Sequence, residues 1–404
     1  MLPNISGLKP VRMPEPVAYV LLYVALYAAF GVASPFWSKF FETKTLASQQ
    51  IGLLLAAAML ARLVAGPLVA TVADRVGALR LVLASCTGLA AAAALALIWA
   101  DSFLLLFAIA LAQAAALAPT TSIADALSVN VARPKIAGRR FEYGWIRGSA
   151  SAAFILGTLG VGQLISPPDY SVIAWANAAL LITAAGATAL VPGAAGRAAR
   201  QPVPSSLVLD LGALLAIPRF RAVILVSALV YGSHAMHDAF AAIRWTDAGM
   251  SPSAVSFLWS EAVIAEVFVF LFIGPAFLDR FGARDAAILS AGAGILRWCV
   301  AGLTTSTWAL ALIQPLHGLT FALLHLACMR IFGDLIPRSA AATAQAFYAL
   351  GSGLMTAALT FLSGALYASY TGAGFFAMAV LCALALPVAS LGLADTSDGS
   401  IAGM

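Results

Sequence analysis

The sequence predicts an all-α integral membrane protein of twelve transmembrane helices in two six-helix bundles, a 6+6 pseudo-repeat with both termini cytoplasmic. Three observations support this fold class. The 404-residue chain is 62% apolar and only 10% charged, with a mean hydropathy of +0.97, whereas a soluble chain needs more polar surface. The charged stretch that begins at Asp74 recurs at Asp279, about 205 residues later, which indicates two related halves. Basic residues also concentrate in alternate connections between the apolar segments.

Twelve apolar segments account for the predicted helices, because a helix needs about 20 such residues to cross the hydrocarbon core. They cover roughly 17–37, 49–71, 79–99, 103–129, 143–165, 171–192, 219–245, 252–277, 285–304, 308–335, 342–368 and 372–394. The one long polar connection falls after the sixth segment. We therefore predict an N-terminal bundle (1–192), a cytoplasmic linker (193–218) and a C-terminal bundle (219–404).

The orientation follows from the lysines and arginines, which favour the cytoplasmic side. With both termini inside, the outer connections carry only Lys39, Lys44 and Arg244. The inner segments carry Lys9, Arg12, Arg75, Arg80, Arg133, Lys135, Arg139, Arg140, Arg197, Arg200, Arg219, Arg221, Arg280, Arg284, Arg330 and Arg338. The net charge of +5 is therefore read as topology, and no nucleic-acid partner is predicted.

Several functional classes lack their motifs. The four cysteines lie in apolar segments without CxxC spacing, so neither a disulfide framework nor a zinc site is predicted. No G-x-x-x-x-G-K-[ST] phosphate loop supports ATP-driven pumping, and no H-E-x-x-H spacing supports an intramembrane metalloenzyme. The predicted tails are too short for the soluble domain of a membrane receptor. We expect no enzyme activity, no metal and no cofactor other than a proton gradient.

The repeated loops Asp74-Arg-Val-Gly-Ala78 and Asp279-Arg-Phe-Gly-Ala283 resemble the loop motif G-x-x-x-D-R-x-G-R-R of the major facilitator superfamily. Here Ala70 replaces the early glycine, and the paired basic residues are reduced to Arg80 and Arg284. The resemblance implies secondary transport by alternating access. It also implies a gating role, in which Asp74, Arg75, Asp279 and Arg280 hold the bundles together on the inside in the outward-open state. The alternative is that these charges only set the topology.

A narrower resemblance is to the phenylpropionate permease family, which is related to lactose permease and the nucleoside–proton symporters. The residues that carry it are Tyr27–Trp37, Tyr143–Ser149, Gly232–Ala235, Ser253–Ser260, Ala265–Val267, Arg297-Trp298, Gln314–His317 and His325–Arg330. It implies import of an aromatic carboxylate such as a phenylpropanoate together with protons. It does not fix the substrate.

Ionisable side chains inside a membrane are costly and usually face a cavity or a partner. This chain has many of them: Arg62, Asp125, Arg147, His234, His237, Asp238, Glu261, Glu266, Arg297, His317 and His325. All four histidines are among them. Glu266 and Arg297 lie at similar depth on consecutive helices, so we predict that they interact, and a pair that can separate switches the protonation of its carboxylate. The alternative is a permanent structural ion pair.

The remaining proton-coupling candidates are His325 and Asp238. His325 ranks above His317 because its depth is closer to that of Glu266, and Phe321 lies between the two histidines at helical spacing. Tyr231, His234 and Asp238 form one stripe of the seventh helix, which suggests that they line water. For His317 and His325 the alternative is a hydrogen bond to a backbone carbonyl between helices. Glu261 lies about 140° around its helix from Glu266 and ranks second.

In the first half, the candidate substrate-binding residues are Arg62, Tyr23, Tyr27, Asp125 and Arg147, beside His234, His317 and Phe321 of the second half. Arg62 is either a docking point for an anion or the partner of a carboxylate. Asp125 and Arg147 look similar to the acid and arginine of lactose permease that contact its sugar, but a cytoplasmic gate pair is equally compatible. Tyr19, Tyr23 and Tyr27 form a stripe that stacks on an aromatic substrate or simply packs.

We conclude that the sequence predicts a proton-coupled symporter that imports a small organic solute, an aromatic carboxylate by resemblance, across a bacterial inner membrane. Its expected partners are the solute, protons and the lipid bilayer, and it is expected to be a monomer. The alternatives are a sugar or nucleoside symporter and a drug–proton antiporter of the same fold, and the several intramembrane arginines and histidines argue against the antiporter.

Overall fold

The computed structural model describes residues 15–128, 135–136, 139–140, 143–191, 207–337 and 340–394. Its first half begins with α1 (Glu15–Ala33), α2 (Trp37–Thr43), α3 (Ser48–Val76), α4 (Leu79–Ile98), α5 (Phe103–Leu117) and α6 (Thr120–Ser128). A two-residue antiparallel hairpin, β1 (Lys135–Ile136) and β2 (Arg139–Arg140), precedes α7 (Tyr143–Leu164) and α8 (Ser171–Leu190). We call residues 15–191 the first half.

The second half, residues 207–394, is helical throughout its described part. It contains α9 (Leu207–Ala216), α10 (Pro218–Gly232), α11 (Ala235–Asp247), α12 (Pro252–Phe268), α13 (Gly274–Leu303), α14 (Thr307–Ile313), α15 (Leu324–Leu335), α16 (Ala341–Tyr370) and α17 (Phe375–Gly392). The π-helical segment Val269–Ile273 follows α12, and a second one, Gly318–Leu323, precedes α15. A 3₁₀ turn, Thr371–Gly374, precedes α17.

The described residues contain eight helical stretches long and apolar enough to cross a membrane, or nine if the bent pair α1–α2 is one span. Two of these stretches, 252–303 and 343–392, are 52 and 50 residues long, which is enough for two crossings each. The first is interrupted at Gly282, whose φ of 81° is favoured by glycine. The second is interrupted by the 3₁₀ turn at Thr371–Gly374.

The predicted linker at 193–218 is only partly described. Residues 192–206 lie outside the described part, whereas Leu207–Ala216 form α9 and α10 already begins at Pro218. The part of the linker that follows residue 206 is therefore helical. Its sequence, LVLDLGALLA, is apolar and explains why a helix forms there.

Each half packs mainly on itself, and a few helices join the halves. In the first half α1 packs on α7 and α8, and in the second half α13 packs on α17 and α10 on α16. Between the halves, α3 packs on α16, α7 on α12, and α2 on α11. Lys39 of α2 lies 2.6 Å from Asp247 of α11. We call this end of the molecule the Lys39 end, and the opposite end, where α3 finishes, the Asp74 end.

Three breaks in the helices shape the interior. α1 and α2 meet at a 48° bend around Pro35, whose ring cannot donate a backbone hydrogen bond. α10 and α11 are separated at Ser233-His234. The two π-helical segments pack on each other, and a Cβ added to Gly318 would lie 2.7 Å from the carbonyl oxygen of Ala265. Only glycine allows the two backbone segments to approach this closely. Their close packing brings the neighbouring residues Glu266 and His317 together.

Candidate functional site

A cavity of about 380 Å³ lies between the two halves. It has the size of a small-ligand site. Ser34 and Phe154 line it from the first half. The second half contributes Tyr231, His234, His237, Asp238, Trp259, Ala262, Val263, Glu266, Arg297, His317, Phe321 and Thr356. The wall thus collects most of the second-half candidates that the sequence singled out.

His317 lies between Glu266 and Arg297. Its Nε2 is 3.5 Å from a carboxylate oxygen of Glu266, and its Nδ1 is 3.1 Å from Nη1 of Arg297. Among the described residues, no carboxylate lies within 4 Å of Arg297, so the expected direct pair with Glu266 is corrected to a pair bridged by His317. Depth alone could not reveal that a third side chain fills the space between them.

The hydrogen bonds fix the tautomer of His317. A guanidinium has only donors, so Arg297 donates and Nδ1 of His317 accepts. The ring hydrogen of the neutral imidazole is then on Nε2, the nitrogen that faces Glu266. His317 can therefore bind a further proton at Nδ1 only if Arg297 moves away.

Arg297 is held from several sides. Its side chain is 1% exposed, its Nη2 donates to Oε1 of Gln314 at 3.2 Å, and its guanidinium lies 4.5 Å from the ring centroid of Trp298. Gln314 in turn donates to the carbonyl of Leu258 at 3.1 Å. The Nε of Arg297 is buried without a hydrogen-bond partner among the described residues. A buried cation without a carboxylate is costly, so an anion in the cavity would stabilise it.

The break between α10 and α11 places the residues of the seventh predicted helix. His234 contacts the carbonyl of Val230 through Nδ1 at 3.0 Å and the hydroxyl of Thr320 through Nε2 at 2.9 Å. Asp238 is 57% exposed and lines the cavity, and its Oδ1 lies 3.2 Å from Nδ1 of His237.

His237, one of the intramembrane histidines, also lines the cavity. Its ring stacks on Trp259 with the centroids 4.9 Å apart. Its Nε2 is buried and has no hydrogen-bond partner among the described residues. The ring of His237 therefore packs on Trp259, while its Nε2 atom has no hydrogen-bond partner among the described residues.

His325 does not line the cavity and is not within 4 Å of Glu266. Its Nδ1 lies 3.2 Å from the hydroxyl of Tyr348, which donates to the hydroxyl of Tyr231 at 2.9 Å. The expectation that His325 would be the nearer histidine is thus corrected in favour of His317. The π-helical segment Gly318–Leu323 explains the difference, because the angular spacing of an α-helix does not hold across it. Phe321, in that segment, stacks on His317 with centroids 5.5 Å apart.

Four of the first-half candidates, all except Arg62, form a separate cluster away from the cavity wall. Tyr23 is fully buried and donates to Asp125 at 2.5 Å, and Arg147 donates to the hydroxyl of Tyr27 at 2.8 Å. Arg147 and Asp125 are 3.9 Å apart. Asp125 and Arg147 thus come together, as either interpretation of this pair requires. Burial of Tyr19 and Tyr23 agrees with packing for that part of the tyrosine stripe.

The charged loop residues differ between the halves. Asp279 accepts a hydrogen bond from Arg330 at 2.7 Å, within the second half, and Arg280 lies over the ring of Phe281. Asp74 and Arg75 are exposed and make no ion pair within the described part of the chain. The gating role stays a prediction. In this conformation the loops do not join the two halves through these side chains.

Sequence reasoning missed several wall residues, namely Ser34, Phe154, Trp259 and Thr356. Apolar and small side chains are common throughout membrane helices, so their types carry no signal. For Ser34 the following Pro35 was a usable signal, since proline marks a break in a helix. For the others only the packing of distant helices identifies them.

The chain is similar to known membrane transporters. The MFS_1 like family matches residues 17–378. The chain is 33% identical over 372 residues to the probable 3-phenylpropionic acid transporter of Escherichia coli strain K12, covering 90% of this chain and 93% of that protein. It is 25% identical over 348 residues to the maltose permease of Geobacillus stearothermophilus, covering 83% and 84%. The crystal structure of the nucleoside transporter NupG aligns with a TM-score of 0.80 at 20% identity, covering 93% of this chain and 98% of that one.

Proposed function

The chain belongs to the MFS_1 like family and is a multi-pass membrane transporter of the major facilitator superfamily, not an enzyme, and we propose that it imports an aromatic carboxylate together with protons. A phenylpropanoate is the proposed substrate, and alternating access is the proposed mechanism. We place the protein in a bacterial inner membrane as a monomer, driven by the proton gradient without a cofactor.

The proposed architecture is twelve spans in two bundles, with both termini in the cytoplasm. The two fifty-residue stretches, interrupted at Gly282 and at Thr371–Gly374, support two crossings each. Tyr143–Leu164 has the length of a further span. The distribution of basic residues supports a cytoplasmic Asp74 end. The bundle limits at 1–192 and 219–404 remain those that the sequence predicts.

The substrate proposal is based on the environment of Arg297. This guanidinium borders the cavity, is 1% exposed, and has no carboxylate within 4 Å among the described residues. A substrate carboxylate would supply the missing charge through hydrogen bonds to the guanidinium. Phe154, Tyr231, Trp259 and Phe321 offer aromatic surface for a ring in the same cavity. The similarity to the probable 3-phenylpropionic acid transporter of Escherichia coli agrees with this substrate class.

The proposed coupling passes through His317. A substrate carboxylate competes with Nδ1 of His317 for the donor on Nη1 of Arg297. Once released, Nδ1 can accept a proton, and Nε2 can pass its hydrogen to Glu266. Because an anion and a proton enter together, the net charge of the buried cavity does not change. Binding of one therefore favours binding of the other.

The proposed conformation is inward-open. The halves are joined at the Lys39 end by Lys39 and Asp247 and by the hydroxyl of Ser253, which donates to the carbonyl of Gly162 at 3.2 Å. At the Asp74 end the charged loops make no ion pair between the halves in the described part of the chain. This arrangement supports release of substrate towards the cytoplasm.

Uptake into proteoliposomes with an imposed inward proton gradient tests the proposal. Labelled 3-phenylpropionate, a nucleoside, a disaccharide and a lipophilic cation are supplied separately, with protein-free liposomes and a protonophore as controls. We expect accumulation of 3-phenylpropionate alone, abolished by the protonophore. Accumulation of the nucleoside or disaccharide instead would assign the alternative symport function. Extrusion of the cation would assign drug antiport.

A further inference from the structure

We infer that Arg62 forms a second carboxylate-binding position, deeper towards the Asp74 end than Arg297, which receives the substrate anion on its way out of the cavity. The inference rests on the proposed function, since it assumes that the substrate is an anion. It assigns a role to the one mid-helix arginine of α3, which the coupling mechanism does not use.

The face of α3 that carries Arg62 points into the protein. Leu53, Leu60, Val64 and Leu68 are exposed apolar side chains and share one face of the helix, as expected for contact with lipid. Arg62 lies about 160° from both Leu60 and Val64 around the helix. It is nevertheless an exposed side chain. An exposed charge on the face opposite the lipid lies in space between the helices.

The level of Arg62 along α3 matches the cavity wall. On either side of it, Met59 accepts a hydrogen bond from Thr360 of α16, and a Cβ added to Gly353 of α16 would lie 3.0 Å from the side chain of Leu63. Thr356, midway between those two α16 residues, lines the cavity. Arg62 therefore lies at the same level as this wall residue on the neighbouring helix.

Arg62 and Arg297 lie at different depths. Arg244 donates to the carbonyl of Gly302, so the Leu303 end of α13 is at the Lys39 end, and Arg297 is about 9 Å from it along the helix. Arg62 is the midpoint of α3, about 21 Å from the corresponding end at Ser48. Counted along the helices, the backbone of Arg62 therefore lies about 12 Å further from the Lys39 end than the backbone of Arg297.

Among the described residues, no protein group neutralises Arg62. Within the described part of the chain it makes no hydrogen bond, and no carboxylate lies within 4 Å of it. The alternative that Arg62 pairs with a carboxylate across the cavity is thus not realised in this conformation. A planar guanidinium with several donors fits a carboxylate better than it fits a hydroxyl. Two unpaired arginines at successive depths give the anion two positions along one path.

Equilibrium binding of 3-phenylpropionate and of the neutral 3-phenylpropionamide, followed by the fluorescence of tryptophans such as Trp259, tests this assignment. The variants are Arg62→Gln and, as a second neutral variant, Arg62→Met. Arg221→Gln is the matched control, because Arg221 bonds the carbonyl of Leu215 away from the cavity. We expect both Arg62 variants to raise the Kd of the acid about 10-fold, as for loss of a charge-assisted hydrogen bond, and to leave the Kd of the amide unchanged.

Two results would overturn the assignment. One is an acid Kd that stays within about twofold of wild type in both Arg62 variants, and the other is an equal change for acid and amide. Failure of the wild-type protein to bind the acid would instead overturn the proposed substrate, and the role of Arg62 with it. Binding of the amide by each variant shows that the cavity has folded.

Discussion

The Nε2 atom of His317 lies 3.5 Å from a carboxylate oxygen of Glu266. Since Nδ1 of the same ring accepts from Arg297, one imidazole connects the acid to the cation that borders the cavity. Both nitrogens are in use, so a change at either neighbour alters what the ring can bind. This relationship is the physical basis for linking a substrate anion to a transported proton.

The first prediction concerns the two histidines of the tenth predicted helix. His317→Gln keeps a polar side chain but cannot relay a proton, so we expect proton-driven accumulation of 3-phenylpropionate to fall at least about 10-fold. His325→Gln is the matched control, because His325 contacts Tyr348 instead of Glu266. Initial uptake and steady-state accumulation in proteoliposomes measure both. A larger loss in His325→Gln would contradict the proposed relay.

The second prediction concerns Gln314, which positions Arg297. Gln314→Leu removes the acceptor of Nη2 and leaves the carbonyl of Leu258 without its donor. We expect the KM for 3-phenylpropionate to rise about 10-fold, because the guanidinium loses one of the bonds that orient it. Gln314→Glu should also raise the KM, because its carboxylate would pair with the guanidinium of Arg297 and compete with the substrate anion.

Gln113→Leu separates this positioning role from a general loss of stability. Gln113 is also buried, and it donates to Asn177 in the first half, away from the cavity. Gln113→Leu should lower the Tm, as Gln314→Leu does, but should leave the KM for 3-phenylpropionate unchanged. Equal KM changes in the two leucine variants would show that Gln314 has no specific effect on Arg297.

The third prediction concerns the contact between Lys39 and Asp247, which joins the halves at the Lys39 end. We expect Lys39→Met and Asp247→Asn each to raise the outward-open population about fivefold, the effect of losing about 1 kcal/mol of an ion pair. Labelling of Ser34→Cys by an impermeant thiol reagent, in a background without the four native cysteines, measures this population.

Lys44→Met is the control for the closing contact, because Lys44 pairs with Asp101 inside the first half at 3.1 Å. Its removal takes away a positive charge of the same kind without touching the contact between the halves. Labelling should therefore remain at the wild-type rate. Faster labelling in Lys44→Met than in Lys39→Met would show that Lys39 does not close this end.

The membrane class and the superfamily could be predicted from the sequence because a bilayer dictates the length of apolar segments and the repeated Asp74 and Asp279 loops mark the two halves. The family match and the relatives confirm both. The twelve-span count, the orientation and the bundle limits stay predictions. The helix α9 was not predicted, because its apolar sequence lies in the same predicted linker, 193–218, as a stretch rich in glycine, proline and arginine.

The site was predictable in its residue types but not in its contacts. Ionisable groups in apolar helices identified Glu266, Arg297, Asp238 and His317, all of which line the cavity. Which histidine approaches Glu266 depends on the π-helical turn after His317 and on the close packing at Gly318. Neither feature alters the hydropathy pattern. Tyr23, a predicted substrate-binding residue of α1, is buried against Asp125.

Transport by Glu266→Gln in proteoliposomes tests the role of Glu266, and Glu261→Gln is the matched control, five residues earlier on α12 and off the cavity wall. We expect Glu266→Gln to lose proton-driven accumulation of 3-phenylpropionate. Exchange of labelled for unlabelled substrate should stay within about threefold of wild type, since only the proton carrier is removed. Glu261→Gln should accumulate substrate normally. Normal accumulation by Glu266→Gln would contradict the central claim that Glu266 carries the coupled proton.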